Sequence, residues 1–217
     1  MRVLSFPVQE IKKILYYHKT FDEYKRLNRE VSYLKARLIG LEEVIRENNR
    51  LEKLLVFKRS LIYSSVGAHV IGRDPSYWNS SIIIDKGSSD GVKVGQAVVE
   101  SLGIVGKVIE VSPQTSKVIL LTDPQFSVAA LIQGPREFGL VSGSLEGVCR
   151  LSYINQNADI RIGDKVITSK LSASFPEGLV IGEIIRVDAH PKSSSVEYII
   201  KPQASLSQIE EVLIILK

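Results

Sequence analysis

The sequence predicts a mainly β protein in which a long N-terminal coiled-coil helix precedes two small β-barrels in tandem. Three observations carry this reading. An apolar stripe recurs at heptad spacing near the start, short β-rich runs fill the remainder, and one stretch of those runs occurs twice.

The helix comes first. Tyr17, Tyr24, Val31, Leu38 and Ile45 fall at position a, and Thr20, Leu27, Leu34, Leu41 and Asn48 at position d. The alternating three-four step puts these side chains on one face, which a second helix must cover to remove it from water. In a parallel pair, Glu30 meets Lys35 and Arg37 meets Glu42, while Glu23 meets the neutral Asn28. Such exposed pairs contribute about 0.2–0.5 kcal/mol each, so they select register rather than supply stability. β-branched Val31 and Ile45 at a, with leucines at d, favour two strands, and Asn48 in the core favours in-register pairing. The dimerisation seam is therefore expected to be Tyr17, Tyr24, Leu27, Val31, Leu34, Leu38, Leu41, Ile45 and Asn48. The alternative is a single amphipathic helix lying on its own globular domain. After Asn48 the apolar spacing drifts through Leu51, Leu54 and Leu55, where the supercoil is expected to loosen.

From Val66 onward the runs Ser81 to Asp85, Val98 to Glu100, Ile104 to Val111, Lys117 to Leu121, Val128 to Ile132 and Arg150 to Ile154 read as strands. So do Lys165 to Thr168, Leu179 to Val187, Val196 to Lys201 and Val212 to Leu216. Gly, Pro, Asn, Asp and Ser punctuate them. One helical turn is expected over Ser205 to Glu211, with Ser207 as cap and Glu210 three residues later. Residues 90–99 align with residues 158–167, and Gly103–Val111 with Gly178–Val187 after a one-residue insertion. Two copies imply two barrels of similar design. The expected divisions are a helix over 1–60, a first barrel over 61–123, a second over 124–190 and C-terminal strands over 191–217.

Charge is unevenly shared. Residues 1–60 carry fourteen Lys/Arg against eight Asp/Glu, and residues 61–217 carry fourteen against sixteen. A basic rod can sit near anionic lipid or nucleic acid, but mixed charge of this kind more commonly marks a solvated helix face. The single cysteine, Cys149, excludes an intrachain disulfide and a zinc cluster, and reads as a small buried apolar residue. No stretch has the length and apolar character of a membrane span, and no signal-type core follows Met1-Arg2. The chain as given is expected to be soluble, with an anchor lost or left off upstream.

No catalytic constellation stands out. His18, His69 and His190 are scattered, and Gly143-Ser144-Leu145 lacks the following glycine of a nucleophile elbow. No paired His/Cys spacing suggests a metal, and no phosphate-cradling loop precedes a helix. An enzyme is not expected, nor a cofactor, nor a nucleic-acid partner. Candidate docking residues are Arg73, Tyr77 and Trp78 around a turn, with Phe138 and Phe175 in the second half, because Trp, Tyr and Arg dominate interface hot spots. Tyr153 is a further candidate for an exposed apolar patch. Each has a structural alternative: Trp78 plugging a barrel end, Arg73 held by a carboxylate, the other aromatics packed in a core.

Several segments resemble the MreC family, the rod shape-determining proteins of bacterial cell elongation. ENNRLEKLL (47–55) is similar to the end of that family's coil. Residues 71–99 resemble its most recognisable stretch, with Arg73, Trp78 and Gly91 in place, and residues 120–132 and 201–216 also fit. The resemblance implies an inner-membrane protein with one spanning helix, a periplasmic coil and two six-stranded barrels, placed at the periplasmic face of the inner membrane. It implies a homodimer through the coil, filaments, and contacts with MreD and the elongation transpeptidase, a class B penicillin-binding protein. Through them the family regulates peptidoglycan synthesis without catalysis. It also allows the C-terminal strand region to return to the first barrel, making the second an insertion. The sequence departs in lacking the spanning helix. A periplasmic adaptor of the membrane-fusion type, in a secretion or efflux system, is the competing reading. Adaptors usually insert a helical hairpin within a β domain, whereas here one helix precedes every strand.

Overall fold

The computed structural model describes the backbone of residues 8–73, 80–101, 103–155, 158–189 and 196–216, and the side chains of these ranges except 8–20, 22 and 189. Contacts divide the chain into two units, Met1–Arg50 and Leu51–Lys217.

Helix α1 runs over Val8–Ser60. No proline falls within it, and its one glycine, Gly40, meets nothing within 4 Å. Lys58 and Arg59 in the last turn oppose the negative end of the helix dipole. Every described residue from Phe21 to Asn49 is exposed, the described members of the heptad stripe among them. The drift after Asn48 has a physical cause within the second unit: Leu54 and Phe57, with Leu61 just beyond the helix, pack against the barrel core.

The second unit holds twelve strands among its described residues. They are β1 (Ser65–Arg73), β2 (Ser81–Ile84), β3 (Ala97–Glu100), β4 (Gly103–Val111), β5 (Ser116–Leu120) and β6 (Ser127–Ile132), then β7 (Phe138–Gly143), β8 (Cys149–Ser152), β9 (Lys165–Thr168), β10 (Val180–Ala189), β11 (Val196–Pro202) and β12 (Glu211–Ile215). They close into two antiparallel six-stranded barrels, ordered β1-β12-β3-β4-β5-β2 and β10-β11-β8-β7-β6-β9. The division expected at residue 190 falls between β10 and β11, which pair with each other, so β11 belongs to the second barrel and only β12 returns to the first. The cause is cross-strand pairing: β11 hydrogen-bonds to β10 and β8, while β12 fills the gap between β1 and β3.

The two barrels are one pairing scheme entered at different strands. β3 and β9 correspond, as do β4 and β10, β5 and β11, β2 and β8, and β1 and β7. The last strand of the first barrel, β12, corresponds to the first strand of the second, β6. The match extends to single residues. Val98 pairs Gly106 and Val166 pairs Gly182; Val118 pairs Ile82 and Ile200 pairs Cys149; Leu213 pairs Gly67 and Leu131 pairs Phe138. Following these registers around both barrels returns to the start with one difference, a bulge between Val70 and Gly72 on β1 that β7 lacks. Bulges follow Val108 and Ile184 at equivalent points. The repeated turns match too: Gly95 and Gly163 have φ of 89° and 98°, a region that favours glycine, and their N–H groups donate to Val108 and Ile184. The Gln96 and Asp164 side chains accept from the N–H groups of Lys93 and Arg161.

Two sequence expectations need correction. The insertion placed inside the second repeat is absent, because Val99 pairs Ile104 as Ile167 pairs Val180. The length difference lies between the strands: two residues separate β3 from β4 and eleven separate β9 from β10. The helical turn near the end is a short 3-10 segment, Leu206–Gln208, in which Ser207 is internal, and Ser205 at the N-cap makes no side-chain cap bond. Strand β7 went unread because Gly139 and Gly143 look like turn residues. Both are close approaches instead: a methyl on Gly143 would overlap the Asp123 carbonyl, and one on Gly139 would crowd Leu151 and Ile154.

Candidate docking surfaces

The first surface is the helix stripe. Among its described members, Tyr24, Leu27, Val31, Leu34, Leu38, Leu41, Ile45 and Asn48 are all exposed, with Leu41 at 56%. The side chain of Tyr17 lies outside the described residues. Seven large apolar groups on one helix face are an unusual cost in water.

The second surface emerges from comparing the barrels. On β7, Phe138 and Leu140 stand two residues apart, so both point to the same outer side of the sheet. Phe138 is 44% exposed and Leu140 sits beside it at 36%. Tyr153, just past β8, is 85% exposed and holds φ at 61°, a left-handed conformation that aromatic residues rarely adopt. In the first barrel the register places Gly67 where Phe138 stands, His69 for Leu140, Asp85 for Ser152 and Glu211 for Ala129. These four positions carry no large apolar side chain, although Ile71 and Ile83 are exposed further along β1 and β2. Asp85 accepts the His69 backbone N–H at 2.8 Å, and its other oxygen lies 3.1 Å from the His69 ring Nδ1. Burial pushes the Asp85 carboxyl upward, but the His69 hydrogen bonds and the nearby Lys86 outweigh it and hold the group below its ordinary value. A methyl at Gly67 would meet only ordinary van der Waals contact with Leu213. The barrel therefore demands neither an exposed Phe nor an exposed Leu at these positions.

The other candidates separate. Phe175 is buried and makes an edge-on contact with Phe126, ring centroids 5.7 Å apart, so it is corrected from docking residue to core residue. Arg73 is half-buried at the end of β1, and its Nη2 donates to the Ile209 carbonyl at 3.4 Å, fastening β1 to the approach to β12. Tyr77 and Trp78 lie outside the described residues, as does His190. Leu140 escaped the sequence reading; the Phe-Gly-Leu step of alternating positions was its one signal.

Remaining polar groups are tied to the fold. Glu100, at the end of β3, accepts the Ser205 N–H at 3.2 Å, and burial raises its carboxyl above the ordinary value. The equivalent Thr168 is buried; its hydroxyl donates to the Pro176 carbonyl at 2.6 Å and accepts the Leu179 N–H at 2.9 Å. Cys149 is buried, its thiol pushed up to about 12 by burial and directed at the Leu121 carbonyl 3.4 Å away. A thiol held there is unreactive. Among the described residues no three His, Cys, Asp or Glu side chains gather as a metal site, and no helix is long and apolar enough to cross a membrane.

The family description "Rod shape-determining protein MreC, barrel core" fits residues 70–216. The chain belongs to the MreC family. The cell shape-determining protein MreC of Listeria monocytogenes is 33% identical over 202 residues, covering 90% of this chain and 68% of that protein. The MreC of Escherichia coli K12 is 28% identical, covering 89% of this chain and 53% of its own length. A solved MreC structure matches with a TM-score of 0.75 at 30% identity, over 79% of this chain and 98% of that one. A complex between a penicillin-binding protein and MreC from Helicobacter pylori shares the fold, with a TM-score of 0.58 at 15% identity over 71% of this chain and 99% of that one.

Proposed function

We propose that the protein is a non-catalytic, dimeric scaffold of the bacterial cell-elongation machinery, which maintains rod shape by docking and regulating peptidoglycan synthesis enzymes at the periplasmic face of the inner membrane. The observation that carries the docking role is the apolar pair on β7 of the second barrel: Phe138 and Leu140 are exposed where the equivalent positions of β1 hold Gly67 and His69. Membership of the MreC family supports the cellular role, and the Helicobacter pylori relative supports a penicillin-binding protein as the partner. MreD is a further expected partner, filaments a further expected assembly, and an upstream helix the expected membrane attachment. The exposed heptad stripe supports pairing of two copies through α1.

Two measurements test the reading. Leu34→Lys with Leu41→Lys buries two charges in the seam and is expected to give a monomer by light scattering, with an unchanged β spectrum; a persistent dimer mass sinks the seam. The intact chain is expected to bind the periplasmic part of the cognate class B penicillin-binding protein. Equal binding by the Phe138→Ala, Leu140→Ser double variant would remove the second-barrel face from the proposal.

A further inference from the structure

Barrel closure differs between the two copies in a way that the chain order imposes. The second barrel is built from one continuous stretch, Ser127–Pro202, and all of its ladders join strands within that stretch. Its opening strand β6 lies between β7 and β9. In the first barrel the equivalent slot, between β1 and β3, is filled by β12, which follows the entire second barrel in sequence. The first barrel thus closes only after the ninety residues between β5 and β12, and no ladder joins it to the second. Without β12 the edges of β1 and β3 would be open, with five register partners on β1 and two on β3 left unfilled.

We infer that β12 is a separable closing strand: the first barrel opens at the β1–β12–β3 seam independently of the second, and the emptied slot is an acceptor site for β12 of a second copy of this chain. The slot's chemistry defines its ligand. Val212, Leu213, Ile214 and Ile215 are all buried, so both faces of the strand are covered and each position wants an aliphatic side chain. Main-chain pairing on both edges requires an extended peptide without proline. A second copy's β12 meets every requirement. Leading into the slot, Ile209 is held through its carbonyl by Arg73, and the Glu210 carbonyl accepts the Val70 N–H. The approach segment is therefore guided by the same barrel wall that receives the strand. The hydrophobic core is shared across the two barrels, which makes independent opening a real test rather than a formality.

Native-state hydrogen exchange on the full chain measures it. Leu213→Asp places a carboxylate in the slot and is expected to speed exchange in β1, β3 and β4 by at least ~100-fold, while β7, β8, β10 and β11 stay within about threefold. Equal acceleration in both barrels would overturn the inference, because it would show a single cooperative unit. As a second arm, a chain ending at Ser207 is mixed with a synthetic peptide of residues 208–216. The expected result is a folded second barrel in the truncated chain and recovery of the β1 and β3 amide signals on saturation with peptide. Loss of the second barrel on truncation, or no recovery with peptide, counts against the acceptor site. A scrambled peptide of the same composition is expected to leave the spectrum unchanged, and recovery with it would equally defeat the claim.

Discussion

The first barrel and the second share a pairing scheme, yet they differ in four places: a bulge on β1, one outer face, one strand end and the chain order of the closing strand. What is common reports what a barrel of this size requires, and what differs reports what this protein does with each copy. Shared features are backbone features: the left-handed glycines 95 and 163, the bulges after Val108 and Ile184, and the close-approach glycines 106 and 182. The differences of face and strand end are in side chains that the shared backbone leaves free. Gly67 and His69 on one copy and Phe138 and Leu140 on the other occupy equivalent sites, and only the second pair is large and apolar.

The largest expected effect breaks the shared part. A methyl at Gly106 would overlap the Ile119 carbonyl, and one at Gly182 the Lys201 carbonyl. Gly106→Val and Gly182→Val should each destabilise their barrel by about 4 kcal/mol or more, read as a fall in the denaturant midpoint. A large loss in one and a negligible loss in the other would break the equivalence itself. Next come the strand ends. Thr168→Val deletes two buried hydrogen bonds at constant shape and should cost about 2 kcal/mol.

The face of the second barrel is a smaller test in energy and a sharper one in function. Phe138→Ala with Leu140→Ser should weaken partner binding by about 10- to 100-fold while the melting temperature changes little. The reciprocal change, Gly67→Phe with His69→Leu, should leave the fold intact and create a second apolar face. If neither pair alters binding, the polarity difference between the copies carries no docking role.

The smallest effect concerns Glu100. Its folded carboxyl is raised by burial, so the folded state holds the proton more tightly than the unfolded chain. That contribution to stability is fully present below the unfolded value and is lost as pH rises through the folded one. Glu100→Gln keeps an acceptor for the Ser205 N–H and removes the charge. The variant should therefore gain up to about 1 kcal/mol over wild type at pH 7, less after solvent screening, with the gain vanishing on acidification. A gain independent of pH would mean that the charge is not its source.

Much of the architecture was legible because periodicity is local. Heptads fixed α1, and alternation with turn residues located most of the strands. The repeat at 90–99 and 158–167 announced two like barrels. β7 was hidden because its glycines serve close packing against Asp123 and Leu151, partners far away in sequence. Phe175 was misplaced among docking residues because an aromatic's burial depends on Phe126 arriving beside it. Leu140 gained meaning only from its counterpart His69 in the other barrel.

The sequence by itself determined a long helix with a heptad stripe and a duplicated all-β head. It did so because helix and strand periods, turn glycines and motif spacings are properties of neighbouring residues. Only the tertiary structure decided that β12 closes the first barrel while β11 stays in the second, and that one copy presents Phe138 and Leu140 where the other presents Gly67 and His69. Register across strands distant in the chain is set by hydrogen-bond pairing and by which side chains the closed barrel can bury. No local pattern encodes that choice.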